Sequence, residues 1–164
     1  MAEELSESAR RVQRALAAAG IAARVVELPR SARTASDAAA AIGCRVEQIA
    51  KSLVFRRVDS GLPVLVVASG ANRVDERLVS SQLKTEIAMA DAAYVRSTTG
   101  FAIGGVPPFG HDPALETLID QDLLRLDTIW AAAGTPNAVF SVRPDQLVQA
   151  TGGSVIPVSS ASRR

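Results

Sequence analysis

Ser52-Leu53-Val54-Phe55-Arg56-Arg57-Val58-Asp59-Ser60-Gly61-Leu62-Pro63-Val64-Leu65-Val66-Val67-Ala68 is the stretch on which the fold turns. Two runs of β-branched and apolar residues, 52–57 and 63–68, flank Asp59-Ser60-Gly61. Turn-forming residues between two such runs predict a β-hairpin. Upstream, Ser6-Glu7-Ser8-Ala9-Arg10-Arg11-Val12-Gln13-Arg14-Ala15-Leu16 reads as an amphipathic helix, with Ser6 as N-cap and Gly20 as its stop. Val12, Leu16 and Ala19 share one face of it. Residues 23–28 read as a short strand ended by Pro29, and residues 46–50 as a helical turn. Thr34 with Asp37 three positions on predicts a capping box, opening a helix that stops at Gly43. Asp75 caps a helix over 76–83, and Asp91 another over 92–98.

Further strands are expected at 115–119, 128–132, 138–142 and 154–158, with Pro144 in the first turn of a helix over 145–150. Helices mixed with hairpin strands indicate an α+β class, not a regular βαβ alternation. At 164 residues the chain is expected to be one domain, 1–164.

Composition narrows the function. With 48% hydrophobic and 21% charged residues, this is an ordinary globular composition. Only 4% of residues are aromatic, which argues against an RNA-binding sheet that stacks several bases. No apolar run reaches the length of roughly 18 residues needed for a membrane span. The acidic start, Met1-Ala2-Glu3-Glu4-Leu5, lacks the basic and apolar regions of a signal peptide. Cytoplasmic localisation is expected, with neither membrane nor DNA as partner.

Cys44 alone allows no internal disulfide and no Cys-based metal site. Neither a P-loop nor a Gly-x-Ser-x-Gly nucleophile motif occurs. Chemistry without metal, redox cofactor or covalent intermediate is expected. The net charge of +1 says little about partners. Arg10, Arg11 and Arg14, then Arg56 and Arg57, then Arg73 and Arg77 are candidate basic patches or solvated faces.

The candidate chemistry lies in Thr99-Gly100-Phe101-Ala102-Ile103-Gly104-Gly105-Val106-Pro107-Pro108-Phe109-Gly110-His111. Glycine lets another molecule approach the backbone, and proline fixes φ and removes a donor. The Gly-Gly step into Pro-Pro reads in two ways. It is a rigid bend whose Gly104, Gly105 and Val106 N–H groups converge on an anion or carbonyl oxygen, or a strand ending in a proline-rich turn. His111, the only histidine, closes the run as a turn or rim residue. Lys51 is one of two lysines against sixteen arginines. It is either a compact ammonium kept for a site or a surface lysine whose stem lies along the core.

In order and spacing, these motifs resemble the YbaK/ProX family. Its members are freestanding relatives of the prolyl-tRNA synthetase editing domain, and several are aminoacyl-tRNA deacylases. Gly104-Gly105-Val106-Pro107-Pro108 is similar to the family's Gly-x-x-x-Pro loop. Thr34-Ala35-Ser36-Asp37-Ala38-Ala39-Ala40-Ala41-Ile42-Gly43, then Gln48-Ile49-Ala50-Lys51-Ser52-Leu53-Val54-Phe55, resembles its T-x-x-x-A-A-x-x-G … Q-I-x-K-[ST]-L-[VIL]-F pattern. Ala133-Gly134-Thr135-Pro136-Asn137 before an apolar strand is a third match. The likeness runs from about Gly20 to Ser159.

The resemblance implies a strongly curved mixed sheet, barrel-like and surrounded by helices, with one surface pocket. It implies hydrolysis, in trans, of the ester of mischarged tRNA, recognised by its acceptor end, with an aminoacyl-tRNA synthetase as a further partner and no cofactor. Gly104 and Gly105 would supply backbone donors to the scissile carbonyl, and Lys51 would orient the ester or the terminal nucleotide. Thr34, Val106, Pro107 and Pro108 would shape the amino-acid pocket, with His111 at its edge. The segment 134–137 would form the opposite rim, with Gly134, Thr135 and Asn137 as its binding residues, although some relatives place a His or Ser there. An aminoacyl ester is already activated, and each well-placed oxyanion donor contributes about 3 kcal/mol. The rival reading is a non-catalytic module that holds an aminoacyl or nucleotide group beside a synthetase. Turnover separates the two.

Overall fold

The computed structural model describes residues 5–30, 32 and 34–160, so most of the acidic start lies outside the described residues. The expected hairpin is the centre of the molecule. Strands β2 (Ile49–Arg57) and β3 (Pro63–Ser69) pair antiparallel, with Lys51 opposite Ala68 and Phe55 opposite Val64. The helical turn before β2 covers only Val46–Gln48, so the strand starts three residues earlier than the sequence suggests.

From Val64 to Ser69 every residue of β3 is buried. Val64, Val66 and Ala68 face a core shared with Phe55 and Val79, and Leu65 and Val67 face a larger core shared with Leu16, Phe140 and Leu147. A continuous apolar run suits a strand covered on both faces. The helices that cover it are α1 (Glu7–Ala18), α3 (Glu76–Leu83) and α5 (Pro144–Thr151). In α1 the buried stripe is Ala9, Val12 and Leu16. Ala19, expected on that stripe, is the C-cap and is exposed, because the helix ends before it.

Among the described residues the sheet has eight strands, in the order β1-β7-β6-β2-β3-β5-β8, with β4 against β2. The others are β1 (Val26–Glu27), β4 (Ile87–Met89), β5 (Glu116–Asp120), β6 (Ile129–Ala132), β7 (Ala138–Val142) and β8 (Ser154–Ile156). The α+β class and mixed sheet are as expected, but the sheet is open and not a barrel. Its two ends, β1 and β8, are two and three residues long and do not pair with each other. Pro29 truncates the first, and Pro157 follows the second, each removing a ladder donor.

Two further helices complete the frame, α2 (Ala35–Ile42) and α4 (Ala92–Thr99). The sequence marks their starts accurately. Thr34, Asp75 and Asp91 each accept a hydrogen bond from a backbone N–H of the first turn that follows. Each such cap contributes about 1 kcal/mol.

Leu65, fully buried in the sheet, and Leu62, 62% exposed in the hairpin turn, form a natural contrast. Leu65→Ala should cost about 2–5 kcal/mol, and Leu62→Ala no more than about 0.5 kcal/mol. Urea denaturation of both variants checks this.

Candidate active site

One edge of β2 pairs with β3 along its length, but the other is interrupted. Pairing with β6 ends at Ala50 opposite Ala131, and pairing with β4 starts at Phe55 opposite Met89. A cleft of about 610 Å³ opens at this gap. Its walls come from β2, the first turn of α2, β6 and the loop after α4. Thr34, Lys51, Gly104 and Val106, distant in sequence, meet here.

Lys51 is half-buried. Burial pushes its ammonium below the usual lysine range, and the charge of Asp120 partly opposes this. The register explains the coupling. Lys51 lies opposite Ala68, and the Val67–Ile119 pair sets Ala68 beside Asp120. The three therefore form a row across β2, β3 and β5, with Lys51 and Asp120 two strand spacings apart, about 10 Å. Asp120 itself is fully buried. It accepts from the Ser69 N–H at 3.0 Å, the Asn72 side-chain amide at 2.8 Å and the Asp122 N–H at 2.9 Å.

The glycine loop divides its duties. Gly104 has φ +90° and borders the cleft, with only Pro136 near the place a side chain would start. Among the described residues, the N–H groups of Gly104 and Val106 meet no hydrogen-bond acceptor. The Gly105 N–H differs, because it donates to the Ala102 carbonyl at 2.9 Å and closes the turn. Gly105 is buried, and its carbonyl accepts from the Gly134 N–H at 2.8 Å. A Cβ on Gly105 would stand 2.8 Å from the Gly134 carbonyl oxygen, and one on Gly134 would stand 2.5 Å from the Ser8 carbonyl oxygen. These glycines let three backbones stack. The expectation of a free Gly105 donor is thus corrected, and Gly105 serves to seat the loop.

Pro107 and Pro108 are buried and do not line the cleft, contrary to the expectation that they shape it. The Pro107 carbonyl is 2.8 Å from His111 Nε2, and because a carbonyl only accepts, that nitrogen carries the proton. The ring stands edge-on to Phe101 at 5.9 Å, with Nδ1 buried and, among the described residues, unpartnered. Burial lowers the His111 pKa, the Pro107 bond opposes the shift, and nearby Arg11 adds to it. His111, expected at the pocket's edge, does not line the cleft.

In the third motif only Pro136 lines the cleft. Thr135 donates to Asn137 Oδ1 at 2.9 Å, and the Asn137 amide donates to the Leu28 carbonyl at 3.2 Å. Gly134, Thr135 and Asn137 brace the rim from behind. Pro136 lies within the segment expected to form the rim, whereas sequence reasoning missed Ser52, Met89, Ile103 and Trp130, all cleft residues. Met89 sits in a three-residue strand too short to show periodicity, and Trp130 reads as core from its strand alone. The arginine patches are largely engaged. Arg10 and Arg14 pair with Glu7, Arg57 makes two bonds to Glu116, and Arg11 stacks 4.4 Å above Phe101.

A family model described as the aminoacyl-tRNA editing domain matches residues 29–150, and the chain belongs to that family, of YbaK type. The solved structure of a candidate trans-editing enzyme for prolyl tRNA synthetase superposes with a TM-score of 0.90 at 46% identity. That match covers 96% of this chain and 99% of the other. The uncharacterized protein YwhH of Bacillus subtilis is 35% identical over 125 residues, 75% of this chain and 78% of that protein. A candidate Cys-tRNA(Pro)/Cys-tRNA(Cys) deacylase, EbsC, of Enterococcus faecalis is 23% identical over 128 residues, 77% of each chain.

The two glycines of the loop should behave differently. Gly105→Ala, forced against backbone, should cost about 1–3 kcal/mol, or a Tm lower by about 2–12 °C. Gly104→Ala has room and should cost only about 1 kcal/mol from its positive φ. Thermal melts of the two variants check the order.

His111 should make stability pH-dependent. Its folded pKa lies below the ordinary 6.5, so its contribution is full above that value and is lost as pH falls through the folded pKa. Below about pH 6.5 the unfolded chain takes up a proton that the folded ring resists. Denaturation midpoints should therefore drop as pH falls below about 6.5, and His111→Gln should flatten that limb.

Proposed function

We propose that the chain is an aminoacyl-tRNA deacylase that hydrolyses the ester of mischarged tRNA in trans, as a single domain over residues 1–164 working in the cytoplasm without a metal ion. The observation that carries this reading is the cleft that sets the half-buried Lys51 ammonium in one cavity with the unpaired N–H groups of Gly104 and Val106. Membership of the editing-domain family supports an aminoacyl-tRNA substrate. The likeness to a candidate trans-editing enzyme for prolyl tRNA synthetase supports that synthetase as partner.

In this mechanism the ester carbonyl oxygen lies toward the Gly104 and Val106 N–H groups. Water adds to the carbonyl carbon, and negative charge gathers on the oxygen that these donors face. The bond from carbon to the ribose oxygen then breaks, and a proton from the attacking water ends on that ribose oxygen. Lys51 holds the ester or the terminal phosphate by its charge. A low-dielectric cleft makes that attraction stronger than it would be in water. The first turn of α2, at Thr34 and Ala35, adds the positive end of a helix dipole to the same wall. Backbone donors and a bound water suffice because the substrate is already activated. A panel of mischarged tRNAs, scored for turnover, tests the reading and names the amino acid removed.

Lys51→Ala should lower kcat/KM on the best substrate of that panel by about 100-fold or more while leaving the melting temperature within a few degrees. Lys51→Arg should rescue little, since a planar guanidinium does not replace a compact ammonium. Deacylation assays beside thermal melts decide it. A folded Lys51→Ala protein with normal turnover removes Lys51 from the mechanism.

A further inference from the structure

The open stretch of β2 has a definite polarity. At the ends of the hairpin, the Arg57 N–H donates to the Leu62 carbonyl at 2.9 Å, and the Gly70 N–H donates to the Ile49 carbonyl at 2.7 Å. Odd-numbered residues of β2 therefore exchange hydrogen bonds with β3, and even-numbered residues turn their N–H and C=O to the other edge. The Ala90 N–H, bonded to the Val54 carbonyl at 3.3 Å from that side, agrees. Between the last pair with β6 and the first with β4, three groups on this edge are left over among the described residues. They are the Ser52 N–H, the Ser52 carbonyl and the Val54 N–H. Ser52 and Val54 both line the cleft. The Ser52 hydroxyl is also buried and, among the described residues, has no partner. Such unmet polarity stands out in a cavity whose other walls are largely Ala, Val, Ile, Met and Pro.

We propose that this open edge is the subsite for the α-amino end of the aminoacyl group. The amino-acid moiety docks as a strand of one residue, its α-ammonium donating to the Ser52 carbonyl. With the carbonyl oxygen toward Gly104 and Val106, the Ser52 and Val54 N–H groups are left for the bridging ester oxygen and the neighbouring ribose hydroxyl. An α-amino ester carries, about one carbon, the donor and acceptor that a strand residue presents, so it fits by the logic of strand addition. The bond from a charged donor is of the stronger kind. This assignment deepens the deacylase reading and rests on it for the choice of ligand. It makes the site selective for a free α-amine, and so for aminoacyl over peptidyl esters.

The test uses 3′-alanylamido-3′-deoxyadenosine, an amide analogue that stays intact while binding is measured, on the full chain by calorimetric or NMR titration. N-acetylation of the analogue, or replacement of its α-amine by a hydroxyl, should weaken binding about 10- to 100-fold. Equal affinities for the three compounds, or no binding of the free-amine compound, overturn the subsite. Ser52→Pro removes the edge N–H and sets a ring on the open edge without touching the bonds to β3. The folded variant should lose at least 10-fold in affinity for the free-amine analogue, and wild-type affinity overturns the proposal. Free-amine-dependent binding with no turnover across the tRNA panel would refute the hydrolase reading and still support the subsite.

Discussion

The stack of Gly105 on Gly134, and of Gly134 on Ser8, is the contact on which the site depends. A single hydrogen bond of 2.8 Å joins the first two, and neither glycine has space for a side chain. Through it the loop after α4 is pinned to the turn between β6 and β7, and both are pinned to α1. The rest of the loop is then held from below by the His111 bond to the Pro107 carbonyl and by Phe101 and Phe109 in the core. Gly104 and Val106 thereby keep fixed places without spending their own N–H groups. A preorganised donor is worth more than a mobile one, because nothing must be reordered when charge develops.

The opposite wall is fixed by the sheet. Lys51 belongs to a strand bonded along one edge to β3, so its backbone cannot shift without disturbing the best-buried element of the molecule. Desolvation of its ammonium is offset in part by Asp120, itself satisfied by three donors. Burying a lone charge is costly. A carboxylate two strands away lets the cleft hold a cation without quenching it in a direct ion pair.

Much of the frame was legible from local chemistry. Asp75, Asp91 and Thr34 sit at true helix starts because capping is decided within four residues. The hairpin was legible for the same reason, as a turn between two β-rich runs. What failed was set by longer-range facts. The curvature implied by resemblance did not extend to closure, since edge strands of two and three residues leave nothing to pair. Ala19 fell one residue past the end of its helix, as the C-cap, and β4 was too short to carry a pattern.

For the site, the residue types could be read off the sequence directly: one histidine, one cysteine, a lysine in an apolar run and a glycine loop ahead of two prolines. The bend of the loop and the Thr34 cap of α2 were legible there too. Only the tertiary structure decided which N–H groups remain unpaired, because hydrogen-bond partners such as Ala102 for Gly105 depend on the path of the folded chain. It alone moved His111 and the two prolines behind the cleft and brought Ser52, Met89, Ile103 and Trp130 to its walls. The physical reason is that exposure and hydrogen-bond satisfaction are properties of neighbours in space, and a gap in strand pairing leaves no mark on the residues that border it.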